Sequence, residues 1–195
     1  MRTFETKRKT SETEIKIKLN VDGSGRHVIE TGVAFFDHML TQIAVHGLFD
    51  LEIEAKGDLA VDQHHLIEDV GLALGEAFRQ ALAEKKGIER MGYAIVPMDE
   101  TLARVIIDLS GRPYLVFICE WEDTRVANIP VSLIEHFFYS FSMRVKANIH
   151  GQVLYGRDNH HMTEALFKAL GRALKQAVQI DPRRRGHIPS SKGVL

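Results

Sequence analysis

Apolar and polar residues alternate from Glu14 to Val21, with Ile15, Ile17, Leu19 and Val21 on one side and Lys16, Lys18 and Asn20 on the other, the period-two pattern of a half-buried strand. Asp22-Gly23-Ser24-Gly25 supplies turn chemistry and Arg26 to Thr31 resumes an extended pattern, so the two runs predict a β-hairpin. From Phe35 to His46 the period lengthens: Phe35, Met39, Leu40 and Ile43 fall on one helical stripe, and Gly47 follows where helices often stop. Leu48 to Lys56 alternates again, Gly57 to Gln63 reads as a loop, and Leu66, Val70, Leu74, Phe78 and Leu82 mark a helix over His64 to Ala83. The first half thus reads strand, strand, helix, strand, helix.

The second half repeats this order. Tyr93 to Val96, Thr101 to Leu109 and Tyr114 to Glu120 read as strands, with Ser110-Gly111-Arg112-Pro113 as a turn. A helix follows Pro130, with Ser132 near a cap position, and carries Ile134, Phe137, Phe138 and Phe141 to about Val145. Asn148 to Tyr155 is strand-like, and Leu166, Leu170, Leu174 and Val178 recur every four residues in a helix over His160 to Val178.

The repetition extends to chemistry. Asp37-His38 on the first helix is echoed by Glu135-His136, and His64-His65-Leu66-Ile67-Glu68 by His160-His161-Met162-Thr163-Glu164. The interval is 26 residues from His38 to His64 and 24 from His136 to His160, so type, order and distance all recur. This is an internal duplication, which predicts two half-domains about a pseudo-twofold axis and paired sites. On a helix, His64 and Glu68 share a face while His65 points about a quarter-turn away, so one ion does not take all three. Crossing the halves gives two consistent sets: His64, Glu68, His136 and His161 for one metal, and His160, Glu164, His38 and His65 for the other. Three imidazoles and a carboxylate suit manganese, iron, cobalt or zinc and leave octahedral positions open for catalysis. Asp37, Asp69 and Glu135 are candidates to orient the imidazole nitrogens facing away from metal. A single His-x-x-x-Glu is weak evidence; two copies in matching places are not. His27 and His150 have no echo and read as ordinary surface or core residues.

Composition narrows the class further. With 45% hydrophobic and 26% charged residues the chain is neither disordered nor collagenous, and no apolar run approaches the ~20 residues of a spanning helix. A formal charge of -1 offers no broad positive field for nucleic acid. The one cysteine, Cys119, reads as a buried strand residue rather than an activated thiol, and with no apolar leader at Met1-Arg2-Thr3-Phe4-Glu5 the expected compartment is the cytosol, or a plastid stroma for a mature form.

Several strings together resemble one family closely: Phe36-Asp37-His38-Met39-Leu40, Asp62-Gln63-His64-His65-Leu66-Ile67-Glu68-Asp69-Val70-Gly71, Pro97-Met98-Asp99-Glu100, Asp108-Leu109-Ser110-Gly111-Arg112-Pro113, the run from His160 to Leu170, and Pro189-Ser190-Ser191-Lys192-Gly193. From about residue 3 to the end, the chain resembles the imidazoleglycerol-phosphate dehydratases of histidine biosynthesis, departing at Leu66 and Ser191, where threonine is usual. The resemblance implies an α+β fold of two half-domains like the second domain of ribosomal protein S5 (1–92 and 93–182), with a left-handed crossover where general rules favour a right-handed one, followed by a substrate-binding tail, 183–195. It implies two Mn(II) ions per active site, an assembly of 24 chains built from trimers with sites between subunits, and a small phosphate-bearing substrate, with no nucleic-acid or membrane partner.

The implied reaction loses water from imidazoleglycerol phosphate through a metal-bound imidazolate and a diazafulvene-like intermediate, giving imidazole acetol phosphate. The resemblance assigns Glu12 an acid/base role, with Glu68 and Glu164 as catalytic metal ligands. It assigns the phosphate to Arg90, Arg112, Ser190 and Lys192, and further substrate contacts to Gln42, His46 and Lys168. Arg183-Arg184-Arg185 reads as a solvated basic stretch, and Gly186 to Leu195 as a segment that orders over substrate. Two other classes stay open: a dinuclear metallohydrolase of phosphate esters, and a non-enzymatic metal-stapled oligomer or RNA-binding module. Near-zero charge with one Trp and four Tyr weakens the RNA reading.

Overall fold

The computed structural model describes residues 1–184 and 186–195. The first half runs β1 (Thr3–Lys9), β2 (Thr13–Asn20), β3 (His27–Glu30), α1 (Ala34–Gly47), β4 (Asp50–Gly57), α2 (His64–Leu82); the second runs β5 (Met91–Met98), β6 (Thr101–Asp108), β7 (Tyr114–Ile118), a short β8–β9 pair (Arg125–Val126, Ile129–Pro130), α3 (Val131–Val145), β10 (Asn148–Tyr155), α4 (Asn159–Val178). Two four-stranded sheets result, β1-β2-β4-β3 and β5-β6-β10-β7, with the same relative order. The α+β duplication expected from the sequence is therefore the observed architecture. β5 begins at Met91, just before residue 93.

Strand pairing departs from the expected hairpin. β2 and β3 are not neighbours: β4 lies between them, antiparallel to β2 (Ile17 opposite Ile53) and parallel to β3 (Ile29 opposite Ile53). The chain crosses over through α1 before closing the sheet, so Asp22–Gly25 ends a strand without returning it. β1, absent from the hydropathy reading, completes the duplication. Its residues Thr-Phe-Glu-Thr-Lys-Arg-Lys include one apolar side chain, because an edge strand needs little burial to be held by its ladder to β2.

Helix ends also differ in detail. α1 includes Gly47, and Leu48 takes the left-handed position (φ 56°). Gly47 is required for another reason: a Cβ there would lie 2.3 Å from the Phe49 ring. Ser132 makes no cap hydrogen bond; Pro130 occupies the cap of α3. Cys119 lies one residue past β7, half-buried, with burial pushing its thiol up to about 12.

The helices pack across the repeats, α1 with α4 and α2 with α3. Gly75 and Gly171 permit the two crossings: a Cβ would fall 2.7 Å from the Phe141 carbonyl oxygen and 2.9 Å from that of Ile43. Both glycines lie seven residues after the motif glutamates Glu68 and Glu164, and both oxygens five after the motif histidines His136 and His38, so the duplication governs packing too. Between the crossings, Phe137 stacks on Phe167 at 5.1 Å and meets Phe36 edge-on at 5.5 Å, fully buried rings whose removal from water contributes roughly 1.5–3 kcal/mol each. No helix among the described residues is long and apolar enough to cross a membrane.

The outer faces of the two sheets contrast. On the first, Lys16–Glu54 and Lys18–Glu52 pair across strands; on the second, Tyr93, Ile95, Tyr114 and Ile118 are exposed. The tail folds back, with Gly87 N–H donating to the His187 carbonyl at 2.9 Å.

Candidate metal centre

Each His-His pair opens a helix, and an aspartate two residues earlier fixes the first turn. The Asp62 carboxylate accepts from His64 N–H at 2.7 Å, and Asp158, the cap of α4, accepts from His160 N–H at 2.7 Å and His161 N–H at 3.3 Å. The repeated motif is therefore Asp-x-His-His-x-x-Glu. The helix crossings then carry α3 to α2 and α1 to α4, bringing His136 to His64 and Glu68, and His38 to His160 and Glu164. In each group, one ligand atom from every residue lies within 4.8 Å of the others.

In the first group, His64 Nε2 is 3.5 Å and His136 Nε2 3.3 Å from Glu68 Oε2, and the two imidazoles sit 4.7 Å apart. His136 Nε2 is buried and, despite that proximity, makes no hydrogen bond. A buried nitrogen without a partner costs free energy, about 1–3 kcal/mol, and a cation held with Glu68 relieves it. The second group is tighter: His38 Nε2 and His160 Nε2 donate to Glu164 Oε2 at 2.9 and 3.1 Å, and Lys168 Nζ donates to Glu164 Oε1 at 2.8 Å. Burial alone would raise the Glu164 pKa, but hydrogen bonds from Lys168 and His38 hold it at about 2. Imidazole nitrogens with one carboxylate oxygen are a donor set for a divalent transition metal, and the orphaned His136 nitrogen fits one.

The fourth member expected in each set stands apart. His65 Nδ1–H donates to Asp58 at 3.0 Å and His161 Nδ1–H to Glu100 at 2.7 Å, and neither joins the groups formed within the chain. These bonds raise both imidazole pKa values and lower that of Glu100 to about 2. Asp58 and Glu100 escaped the sequence reading because each reaches its histidine only through the fold, one from the β4–α2 loop and the other from the β5–β6 turn. The expected orienting groups do something else. Asp37 accepts from the backbone and hydroxyl of Thr31, Asp69 accepts from Arg8 and Thr13, and Glu135 makes no side-chain bond among the described residues.

Of the candidate substrate residues, Glu12 approaches the histidines: its Oε1 is 3.9 Å from His65 Nε2. Gln42 is buried one turn after His38 and donates to its carbonyl at 3.2 Å. His46 is half-buried, and burial followed by the charges of Lys168 and Arg172 lowers its pKa. Arg90 grips Asp108 through two nitrogens (2.6 and 2.9 Å) and donates to the Pro189 carbonyl at 2.9 Å, which ties it to the tail holding Ser190 and Lys192. Arg112 is exposed beside Gly111, whose Cβ position lies 2.6 Å from the terminal Leu195 carbonyl carbon. Among the described residues, no hydrogen bond or ion pair links Arg90, Arg112, Ser190 or Lys192 to either histidine group. Of the three tail arginines, Arg183 is held by Asp181 and Arg184 lies near Glu89 and Asp181, while Arg185 is outside the described residues.

Comparison with known proteins agrees with this picture. Residues 31–174 match the family model described as imidazoleglycerol-phosphate dehydratase. An imidazoleglycerol-phosphate dehydratase of Roseiflexus sp. (strain RS-1) is 53% identical over all of this chain and 98% of its own length; that of Acetivibrio thermocellus is 52% identical over all of this chain and 99% of its length. Solved structures of the enzymes from Pyrococcus furiosus, in complex with (S)-C348, and Staphylococcus aureus are each 36% identical, with TM-scores of 0.85 and 0.83. They cover 97% and 92% of this chain and 100% and 99% of their own. The class so defined is a hydro-lyase on a duplicated α+β fold. The chain belongs to the imidazoleglycerol-phosphate dehydratase family.

Proposed function

We propose that this chain dehydrates imidazoleglycerol phosphate to imidazole acetol phosphate in histidine biosynthesis, at a site holding two Mn(II) ions. The observation that carries the metal reading is the orphaned, buried His136 nitrogen beside Glu68; in the other repeat the equivalent His38 nitrogen is hydrogen-bonded to Glu164. His64, Glu68 and His136 would hold one ion and His160, Glu164 and His38 the other, with His161 and His65 of neighbouring subunits as the fourth members of the sets. Bound ions withdraw charge from the substrate's imidazole and favour its deprotonated form.

The remaining steps belong to the chain's own residues. Glu12, 3.9 Å from His65 Nε2 and with no hydrogen bond on its carboxylate among the described residues, moves the proton between the reacting carbons and solvent. Glu68 and Glu164 keep the ligand imidazoles aimed at common points. Arg90, Arg112, Ser190 and Lys192 bind the phosphate, and Gln42, His46 and Lys168 contact the substrate; an ion held by Glu164 would free Lys168 for that contact. The exposed Tyr93, Ile95, Tyr114 and Ile118 on one sheet face support burial in a homo-oligomer, which we take to be the 24-chain assembly built from trimers. The expected compartment is the cytoplasm.

The test is a ketone-forming assay on imidazoleglycerol phosphate with metal analysis of the same sample. Ketone production that stops with chelator and returns with Mn(II) is expected. Release of free phosphate instead would select the metallohydrolase reading.

A further inference from the structure

The two repeats treat equivalent glutamates differently. Ile17 faces Ile53 across β2 and β4, and Val105 faces Gly151 across β6 and β10; Ile53 and Gly151 both lie fifteen residues after the motif histidines, His38 and His136. Counting back five positions from Ile17 and from Val105 reaches a glutamate followed by a buried threonine in each half, Glu12-Thr13 and Glu100-Thr101. Glu12 and Glu100 are thus copies of one ancestral position. Glu12 stays 3.9 Å from the Nε2 side of its histidine, whereas Glu100 has turned to the Nδ1 side of His161, at 2.7 Å.

The connection before the second helix explains the difference. Six residues separate β4 from α2, and Asp58 within them orients His65; only three separate β10 from α4, and they place no carboxylate on the Nδ1 of His161. We infer that Glu100 is a positioning residue that replaces the missing Asp58 counterpart, holding the His161 proton on Nδ1 so that Nε2 is the free donor toward metal.

This inference rests on the metal reading above. Glu100 is well placed for the role because its other oxygen is already committed. Oε1 accepts from Arg157 N–H (3.2 Å), Asp158 N–H (3.1 Å) and the Thr101 hydroxyl (3.1 Å). These donors set the consequence of Glu100→Gln. The amide must turn its oxygen toward the three donors, which leaves its NH2 pointing at His161 Nδ1. The proton then moves to His161 Nε2, the atom that should ligate, while the loop keeps its hydrogen bonds.

The experiment titrates Mn(II) into wild type, Glu100→Gln and Glu12→Gln by calorimetry, with thermal unfolding of each metal-free protein. Glu100→Gln should weaken one of the two classes of Mn(II) binding by about 10–100-fold, the range for groups that orient a ligand, and leave metal-free melting unchanged. Glu12→Gln should leave both classes unchanged. If wild type binds and Glu100→Gln binds equally well, the positioning role is wrong. Lower melting with unaltered Mn(II) affinity would make Glu100 a loop brace only and also overturn it. Failure of wild type to bind Mn(II) would remove the metal reading, and this inference with it.

Discussion

Glu68 and Glu164 occupy the same place in the two repeats yet sit in different electrostatic settings. Glu164 is nearly buried and bound by two imidazoles and Lys168, whereas Glu68 is over a third exposed and has two imidazole nitrogens beyond 3.2 Å. One position contributes to the difference. Four residues on, the second helix has Lys168 and the first has Leu72. Duplication therefore fixed the geometry of the two histidine–glutamate groups, and later divergence set how strongly each carboxylate is already neutralised. A cation approaching Glu68 meets a carboxylate with little to displace; one approaching Glu164 must displace an ammonium and break two imidazole N–H hydrogen bonds.

The largest expected effects come from deleting either carboxylate. Glu68→Ala and Glu164→Ala should each abolish tight binding of one Mn(II) per chain, a loss beyond the roughly hundredfold upper range for groups that only orient ligands, measurable by calorimetry. The two should separate in metal-free stability. Glu164→Ala strands Lys168 and two histidines and should cost about 1–3 kcal/mol, while Glu68→Ala should stay within about 0.5 kcal/mol, as read by urea unfolding. Equal losses would erase the contrast.

Next, Glu12→Gln should cut turnover at least about a hundredfold with metal content intact, because only the first repeat leaves this glutamate uncommitted. Packing is expected to be symmetric where electrostatics is not. Gly75→Ala and Gly171→Ala should each destabilise by about 1–3 kcal/mol, despite the gain in helix propensity, because backbone carbonyls already occupy the space. The smallest effect sharpens the comparison most finely. Leu72→Lys, which gives Glu68 the neighbour that Glu164 has, should weaken Mn(II) binding about twofold, the scale of an i,i+4 charge pair.

Most of this centre was legible in the sequence because its ligands lie on helices, where four-residue spacing puts His64 with Glu68 and His160 with Glu164, and because duplication made the pattern appear twice. The crossing of halves followed from that, and the fold places His136 beside His64 and Glu68, and His38 beside His160 and Glu164. What escaped depends on contacts between distant segments. Nothing local to Asp22–Gly25 says that β4 will insert between β2 and β3, and β1 carries too little apolar character to announce itself. Asp58 and Glu100 lie in turns whose acidic residues look solvated until the fold brings histidines to them, whereas Asp37 and Asp69, adjacent to ligands in sequence, point elsewhere.

The most direct test of the paired centre is the Mn(II) stoichiometry of the purified chain, measured alongside ketone formation as metal is withdrawn and restored. Two ions per chain, with activity falling and recovering in step, is the expected result. Full turnover in protein stripped of metal, or a chain that takes up no ion at saturating Mn(II), would contradict the account.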